Sequence, residues 1–161
     1  MQIVSHIFAG TVWCGDGNIA DGYYDEGELR TLDVCCRAHD FCPDYLYTGI
    51  YYPLFNLTNE LPFTVNHCDC DQAFQECLQS VNDADSQAVG EILYNLLTQP
   101  CFREDYPIVQ CLEWGGFLGN VCLQYELDFS GEPFWQIFSN PLYTQSNDTI
   151  HGYRWFQSLF P

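Results

Sequence analysis

The adjacent residues His39 and Asp40 lie in the cysteine-rich segment 35–42, and their types suit hydrolytic chemistry. A neutral imidazole accepts a proton near neutral pH, so His39 is a candidate general base. A carboxylate is a hard oxygen ligand, so Asp40 is a candidate ligand for Ca2+. On a helix the two side chains point about 100° apart. We therefore expect one helix to present a base on one side and a metal ligand on another.

A second carboxylate supplies what such a base would need. Asp71, beside Cys70, could accept a hydrogen bond from the far imidazole nitrogen and select the tautomer. No serine or cysteine nucleophile stands out, because the nearby cysteines are expected to be oxidised. We therefore predict that His39 activates water. A histidine considered alone is more often structural, and its neighbours are what favour catalysis here.

The glycine-rich segment Trp13-Cys14-Gly15-Asp16-Gly17 is the third part of the predicted site. Its two glycines permit backbone conformations closed to other residues, so the loop can point several carbonyls inward. Ca2+ takes about six to eight oxygen ligands and accepts backbone carbonyls. A bound ion could polarise an ester carbonyl and stabilise the oxyanion. Alone, the segment is typical of an ordinary turn; together with His39 and Asp40 it favours a calcium site.

The cysteines indicate a disulfide framework. The 161 residues include ten cysteines, an even and dense set that is typical of an oxidising compartment. The glycosylation acceptors Asn56 and Asn147, each in an Asn-x-Thr triplet, agree with secretion. The alternative is a zinc site, with candidate ligands Cys35, Cys36, Cys68, Cys70 and His67. The even count and the acceptor triplets favour disulfides.

Cysteine spacing also predicts a pair of helices. The interval from Cys35 to Cys42 equals the interval from Cys70 to Cys77, and on helices each pair would mark one face. Two antiparallel helices could then be joined by Cys35–Cys77 and Cys42–Cys70. This ladder would bring the start of the second helix near the end of the first.

The remaining elements are predicted from turn residues and apolar periodicity, and all fall in one domain over 1–161. They are a helix at 31–46 capped by Thr31, an irregular excursion or short hairpin at 47–64, helices at 66–83 and 87–98, and a hairpin with strands near Val109 and at 121–127. The last thirty residues show no clear period. The predicted fold class is therefore mainly α with a small β-hairpin.

The net charge is −18, with no lysine and four arginines. This balance argues against a nucleic-acid partner, which needs a basic footprint, and against capture by anionic membranes. Divalent cations and a zwitterionic surface remain compatible, as does solubility alone. No segment has the roughly 18 apolar residues of a spanning helix. The first ten residues lack the pattern of a signal peptide, so we expect one to have been removed.

Four groups of residues occur in a fixed order: Trp13–Asn18, Asp33–Asp44, Cys68–Asp71 with Phe74 and Cys77, and Val89-Gly90 with Tyr94-Asn95-Leu96. With all ten cysteines in order, they resemble the motifs of secreted phospholipases A2 of the bee-venom type, known as group III. The likeness spans about residues 8–138 and leaves a C-terminal extension at about 139–161. It implies a disulfide-rich secreted phospholipase A2 fold, in which disulfides cross-link two long antiparallel helices.

The resemblance also implies a mechanism. His39 would activate the water that attacks the sn-2 ester of a phospholipid, and Asp71 would orient His39. The Gly15 amide would help to hold the oxyanion. The Ca2+ ligands would be the main-chain oxygens of Trp13, Gly15 and Gly17 and the carboxylate of Asp40. The implied disulfides are Cys14–Cys36, Cys35–Cys77, Cys42–Cys70, Cys68–Cys101 and Cys111–Cys122.

The chain departs from the family pattern at three points. The tyrosine that supports the orienting aspartate in the family aligns with Leu93, and Tyr94 lies about 100° further round an ideal helix. Either the helix register shifts or this hydrogen bond is missing, so Tyr94 is not part of the predicted site. Asp16 adds a charge to the loop, which we expect to face water. The chain is also acidic, unlike the basic venom enzymes.

Docking on phospholipid aggregates would have to rest on apolar and aromatic side chains, because cations are few. The candidates lie between the first two predicted helices: Tyr47, Ile50, Tyr51, Tyr52, Leu54, Phe55 and Phe63. In the alternative interpretation these side chains pack the core.

Two other functions stay open, a catalytically idle binding protein or toxin on the same scaffold and a secreted calcium-binding structural module. The presence of His39, Asp40, Asp71 and both loop glycines favours the enzyme.

Overall fold

A computed structural model describes residues 6–145 of the chain. The acceptor residue Asn147 and most of the predicted C-terminal extension lie outside the described residues. The chain forms two compact units. Within the described range, the first unit consists of residues 6–41, 73–91 and 143–145, and the second consists of Cys42–Gln72 and Ile92–Leu142.

The first helix, α1 (Arg30–Asp40), carries the predicted base and metal ligand. Its buried face consists of Leu32, Asp33, Cys35 and Cys36. The predicted helix was too long at its C-terminus, because the chain leaves the helical conformation shortly before Pro43 and a residue preceding proline disfavours that conformation. The predicted cap was also wrong. The N-cap is Leu29, whose side chain makes no capping hydrogen bond, and Thr31 lies inside the helix.

The other helices are α2 (Cys68–Val81) and α3 (Ala84–Gly90), and α3 continues directly into a π-helix, Glu91–Leu96. A capping box begins α3: the Ser86 amide donates to the Asp83 side chain, and the Asp83 amide donates to the Ser86 hydroxyl oxygen. The third predicted helix, at 87–98, therefore exists, but it starts earlier and changes its winding at residue 91. This change of winding bears on the position of Tyr94, which lies close to the buried carboxylate of Asp71 in the second unit.

The second unit contains the strands. A four-stranded sheet has the order β1-β4-β5-β8, from β1 (Tyr45–Leu46), β4 (Val65–His67), β5 (Pro100–Asp105) and β8 (Phe134–Ser139). The long antiparallel pair β5–β8 runs in register from Pro100 opposite Ser139 to Asp105 opposite Phe134. Leu46, Val65 and Phe102 of this sheet are buried together with Phe55 as the core of the unit.

Two further sheets are hairpins, and both agree with the sequence. Strands β2 (Tyr51–Tyr52) and β3 (Leu57–Thr58) form the short hairpin predicted as one option within 47–64. Strands β6 (Ile108–Gly115) and β7 (Val121–Leu127) form the predicted hairpin. The prediction of a mainly α fold was nevertheless wrong, since strands are about as common as helices among residues 6–145. The four-stranded sheet was missed because β1 and β4 are very short and β5 pairs with a strand far along the chain.

Five disulfides join all ten cysteines: Cys14–Cys36, Cys35–Cys77, Cys42–Cys70, Cys68–Cys101 and Cys111–Cys122. These are the five pairs that the resemblance implies. No cysteine is left as a free thiol, so the alternative zinc site lacks its thiolate ligands. Each bridge restricts the unfolded chain and contributes about 2–4 kcal/mol of stability on the usual scale.

Candidate active site

The buried carboxylate of Asp33 fixes the glycine-rich loop to helix α1. Its Oδ1 accepts hydrogen bonds from the amides of Val12 (3.1 Å) and Trp13 (2.9 Å), and its Oδ2 accepts from Val12 (3.0 Å) and Gly27 (2.7 Å). Such bonds to a charged acceptor are strong, and they satisfy a carboxylate that is fully buried. The sequence contained a signal for this role, an acid on the apolar face of an amphipathic helix. No role was predicted for Asp33 itself.

The Cys14–Cys36 disulfide places the same loop beside the face of α1 that carries Asp40. The two Cα atoms of the bridge are 5.1 Å apart. Because Cys36 and Asp40 are four residues apart in a helix, they share one face. The loop and the predicted metal ligand therefore lie on the same side of α1.

The carbonyls of the glycine-rich loop differ in their hydrogen bonding. The Val12 and Cys14 carbonyls accept from the amides of Ile19 (2.9 Å) and Phe8 (2.7 Å). The described part of the chain shows no hydrogen bond to the carbonyls of Trp13, Gly15 or Gly17. Gly15 faces Ile7 across an antiparallel bridge whose hydrogen bonds are made by the flanking residues, so its own amide is not used in that bridge.

Glycine is required at both loop positions for different reasons. A Cβ atom on Gly15 would lie 2.1 Å from the carbonyl oxygen of His6, so no side chain fits there. Gly17 has a φ of +74°, a conformation that glycine adopts at little cost. The exposed loop residue Asp16 lies between them. The loop thus needs one glycine for close packing and the other for its backbone conformation.

The donor set fits a hard divalent cation. Three backbone carbonyls and one carboxylate are the oxygen ligands that Ca2+ prefers. Desolvation by the surrounding protein raises the pKa of Asp40 to about 6, while the neighbouring His39 acts in the opposite direction. Among residues 6–145, no three His, Cys, Asp or Glu side chains lie together as a metal site.

His39 packs face to face on Phe74 of α2. The ring centroids are 4.2 Å apart and the planes differ by 17°. Phe74 is buried, and the Cys35–Cys77 disulfide joins the two helices near this contact. The stacked ring restricts the orientation of the imidazole, as a general base requires.

Asp71 belongs to the second unit and is almost fully buried, with 3% of its surface exposed. The side-chain amide of Asn140 donates a hydrogen bond of 2.7 Å to its Oδ2. Burial first, and then the negative charge of Asp71, raise the pKa of the Tyr94 hydroxyl well above its usual value. The structure therefore gathers Asp71, Tyr94 and Asn140, two of which the sequence did not assign to a site.

The π-helix explains how Tyr94 reaches this carboxylate. The amide of Leu97 donates to the carbonyl of Ile92 at 2.8 Å, an i to i−5 hydrogen bond. Such a turn holds one more residue than an α-helical turn, so each later side chain is rotated relative to α-helical winding. The sequence left two outcomes open at Leu93 and Tyr94, and the π-helix over Glu91–Leu96 is a change of register of the kind that one of them requires.

The apolar residues between α1 and α2 divide into two sets. Tyr47, Ile50, Tyr51 and Leu54 are exposed, and Leu54 keeps 80% of its surface accessible. Phe55, Tyr52 and Phe63 instead belong to the core of the second unit or pack against it.

The exposed Asn56 lies in the turn between β2 and β3. Within the described range, no helix has the length and apolarity needed to cross a membrane.

Comparison with known proteins identifies the family. A sequence model of the family described as phospholipase A2 matches residues 7–105. The phospholipase A2 of Bombus pensylvanicus is 41% identical over 82% of this chain and 96% of that protein. Those of Xylocopa appendiculata circumvolans and Apis mellifera are 40% and 36% identical over 82% of this chain, covering 70% and 77% of their own lengths. The chain therefore belongs to the phospholipase A2 family.

Proposed function

We propose that this chain is a secreted, calcium-dependent enzyme that hydrolyses the sn-2 ester of glycerophospholipids. As a member of the phospholipase A2 family it is an ester hydrolase, and its products are a free fatty acid and a lysophospholipid. The observation that carries the proposal is the position of His39 and Asp40 on α1, the helix whose Cys36 and Asp33 hold the glycine-rich loop. The proposed base and the carboxylate ligand therefore lie on one helix, and the loop with the other proposed ligands is fixed to that helix.

His39 acts as the general base: as the water oxygen bonds to the ester carbonyl carbon, one water proton passes to the imidazole. When the sn-2 C–O bond breaks, the imidazolium returns that proton to the departing lysophospholipid oxygen. Asp71 orients the imidazole and stabilises its protonated form. The stack on Phe74 supports this role, because it limits the imidazole to one plane. The bond from Asn140 supports the role of Asp71, because it keeps a buried carboxylate in one orientation.

Calcium would be held by the main-chain oxygens of Trp13, Gly15 and Gly17 together with the Asp40 carboxylate. When bound, it supplies the positive charge that polarises the ester carbonyl and stabilises the oxyanion. The amide of Gly15 donates to the same oxyanion. The raised pKa of Asp40 supports this assignment, because a partly desolvated carboxylate gains from a nearby cation.

Secretion and lipid docking belong to the same proposal. Five disulfides suit an oxidising compartment, and the exposed Asn56 is an accessible glycosylation acceptor. Tyr47, Ile50, Tyr51 and Leu54 offer an apolar surface to phospholipid aggregates. Because the chain carries a net charge of −18, we expect zwitterionic phosphatidylcholine vesicles to be hydrolysed faster than anionic phosphatidylglycerol vesicles at equal calcium. A strong preference for the anionic vesicles would contradict this docking mode.

The test of the reaction is the release of the sn-2 fatty acid with calcium, with a chelator and after His39→Gln. We expect the chelator and the substitution each to reduce kcat about 100-fold or more. His67→Gln is the matched control, because it removes a histidine that packs on Phe102 and Trp135 in the second unit. Activity that survives His39→Gln would refute the mechanism. An inactive wild-type protein that still binds lipid or calcium would favour the idle binding protein or the calcium-binding structural module.

A further inference from the structure

Asn140, directly after β8, is a buried amide whose nitrogen makes two hydrogen bonds. Its Nδ2 donates to Asp71 Oδ2 at 2.7 Å and to the Gln99 carbonyl oxygen at 3.0 Å. Asn140 keeps only 5% of its surface exposed. Both N–H groups of the amide are therefore used. One partner is a backbone carbonyl, and the other is the carboxylate that the proposed mechanism needs.

The Gln99 carbonyl is itself held in place by the end of the π-helix. The amide of Gln99 donates to the carbonyl of Leu93 at 3.0 Å. Between them Thr98 has a φ of +51°, which is unusual for a β-branched residue and persists only where the surroundings enforce it. Pro100 then starts β5 opposite Ser139, the residue before Asn140. The side-chain amide of Asn140 is thus held through Gln99 by the end of the π-helix, and its backbone is held by the adjacent pairing of β8 with β5.

This anchoring defines what the amide can do for the carboxylate. A neutral N–H donor holds the Asp71 carboxylate without adding a charge beside it. Because Oδ2 accepts this hydrogen bond, rotation of the carboxylate is restricted. The Tyr94 hydroxyl is the second group at this carboxylate.

We propose that Asn140 is a positioning residue of the reaction, acting through Asp71. This inference rests on the proposed function, in which Asp71 orients His39. Asn140 lies beyond residues 7–105, the part matched by the family model. It reaches Asp71 only because β8 pairs with β5.

The first experiment is a double-mutant cycle between Asn140→Leu and Asp71→Asn. In the wild-type background we expect Asn140→Leu to lower kcat about 10- to 100-fold with KM nearly unchanged, because only orientation is lost. In the Asp71→Asn background the same substitution should change kcat less than about twofold, because the group through which it acts is gone. An equal loss in both backgrounds would overturn the proposal, and so would full activity of Asn140→Leu.

The matched control is Gln136→Leu, on the same strand. Gln136 is also buried, and its amide donates only to the backbone carbonyls of Asp105 and Tyr106. Its loss should lower the melting temperature without changing kcat of the folded fraction. A Gln136→Leu enzyme with the same loss of kcat as Asn140→Leu would show that the effect is general destabilisation, and would also overturn the proposal.

Asn140→Asp is a second variant, which keeps a polar side chain of similar size and so does not depend on the protein folding with an apolar residue at this position. Two carboxyl groups at hydrogen-bond distance share a proton at low pH, which restores an O–H donor to Asp71, and repel each other when both ionise. We expect kcat of this variant, relative to wild type and per folded molecule, to fall as the pH rises from 6 to 9. A ratio independent of pH would contradict the role. Failure of the proposed function is recognised separately, because His39→Gln would then retain activity whatever Asn140 does.

Discussion

The imidazole of His39 lies flat on the ring of Phe74, with centroids 4.2 Å apart and planes 17° apart. Both helices that carry these residues are joined by Cys35–Cys77, so the contact has little freedom to slide. An apolar ring on one face of the imidazole blocks solvent from that face. It does not cover the hydrogen-bonding directions of the ring nitrogens, which lie in the plane of the imidazole. This relationship makes Phe74 a support for the proposed base, although its side chain carries no reactive group.

Phe74→Leu should therefore lower kcat without a matching change in KM. Aromatic pairs contribute about 0.5–1.5 kcal/mol beyond the area they bury, which corresponds to a loss of roughly two- to tenfold in rate. Steady-state kinetics on phosphatidylcholine vesicles measure the effect. Leu78→Ala is the control, because Leu78 is also buried in α2, one turn further on. It should reduce stability at least as much, and a similar loss of kcat per folded molecule would contradict the support role.

Asp33→Asn should weaken calcium binding more than it weakens substrate binding. The amide cannot accept all four backbone hydrogen bonds that the Asp33 carboxylate accepts from Val12, Trp13 and Gly27, so at least one buried N–H loses its partner. The cost is about 1–3 kcal/mol. We expect the calcium concentration for half-maximal activity to rise about tenfold, with a lower melting temperature. Glu28→Gln removes one charge from an exposed side chain and should change neither. Unaltered calcium dependence in Asp33→Asn would contradict the anchoring role.

Tyr94→Phe tests the consequence of the π-helix. The substitution removes one hydroxyl from the buried group around Asp71 and keeps the ring that fills the core. Removing a polar neighbour of a buried carboxylate costs about 1–3 kcal/mol, so we expect kcat to fall about tenfold. Tyr24→Phe removes an exposed hydroxyl and is the control. If Tyr94→Phe kept full activity, the register shift would have no functional role.

The chemistry was easier to predict from the sequence than the sheet. His39, Asp40 and the two loop glycines lie in short local motifs, and a helix or a tight turn is determined by neighbours in sequence. Strand β5 instead pairs Cys101 with Phe138, and nothing near either residue indicates the partner. Sheet contacts at such separation leave only weak local signals. The mainly α prediction failed for this reason.

The supporting residues were missed for a related reason. Tyr94 was set aside because an α-helical register was assumed, and a π-turn cannot be recognised from spacing alone. Asn140 comes from the end of β8, in a part of the chain where the sequence showed no periodicity. The candidate site residues could thus be named from type and spacing, and their catalytic roles stay predictions. Residues that hold them depend on tertiary contacts between distant segments.

Tyr143 couples the stability of the first unit to alkaline pH. Its ring lies against Gly90, where an added Cβ would come within 2.5 Å of ring atoms. Its hydroxyl donates to the side-chain carbonyl of Gln145. Burial first, and then the negative charges of Glu91 and Asp83, raise the pKa of Tyr143 to about 12. Since an unfolded tyrosine ionises near pH 10, the folded state holds this proton more tightly than the unfolded state.

Tyr143→Phe should therefore reduce the decrease in the free energy of unfolding at alkaline pH. With a raised folded pKa, the stabilising contribution of Tyr143 is fully present below about pH 10 and is lost as the pH rises from about 10 to about 12. In wild type the free energy of unfolding should fall over this window, and in Tyr143→Phe it should fall less steeply. Urea unfolding followed by circular dichroism at pH 9, 10 and 11 measures both slopes. Equal slopes for the two proteins would show that this buried hydroxyl does not couple folding to proton release.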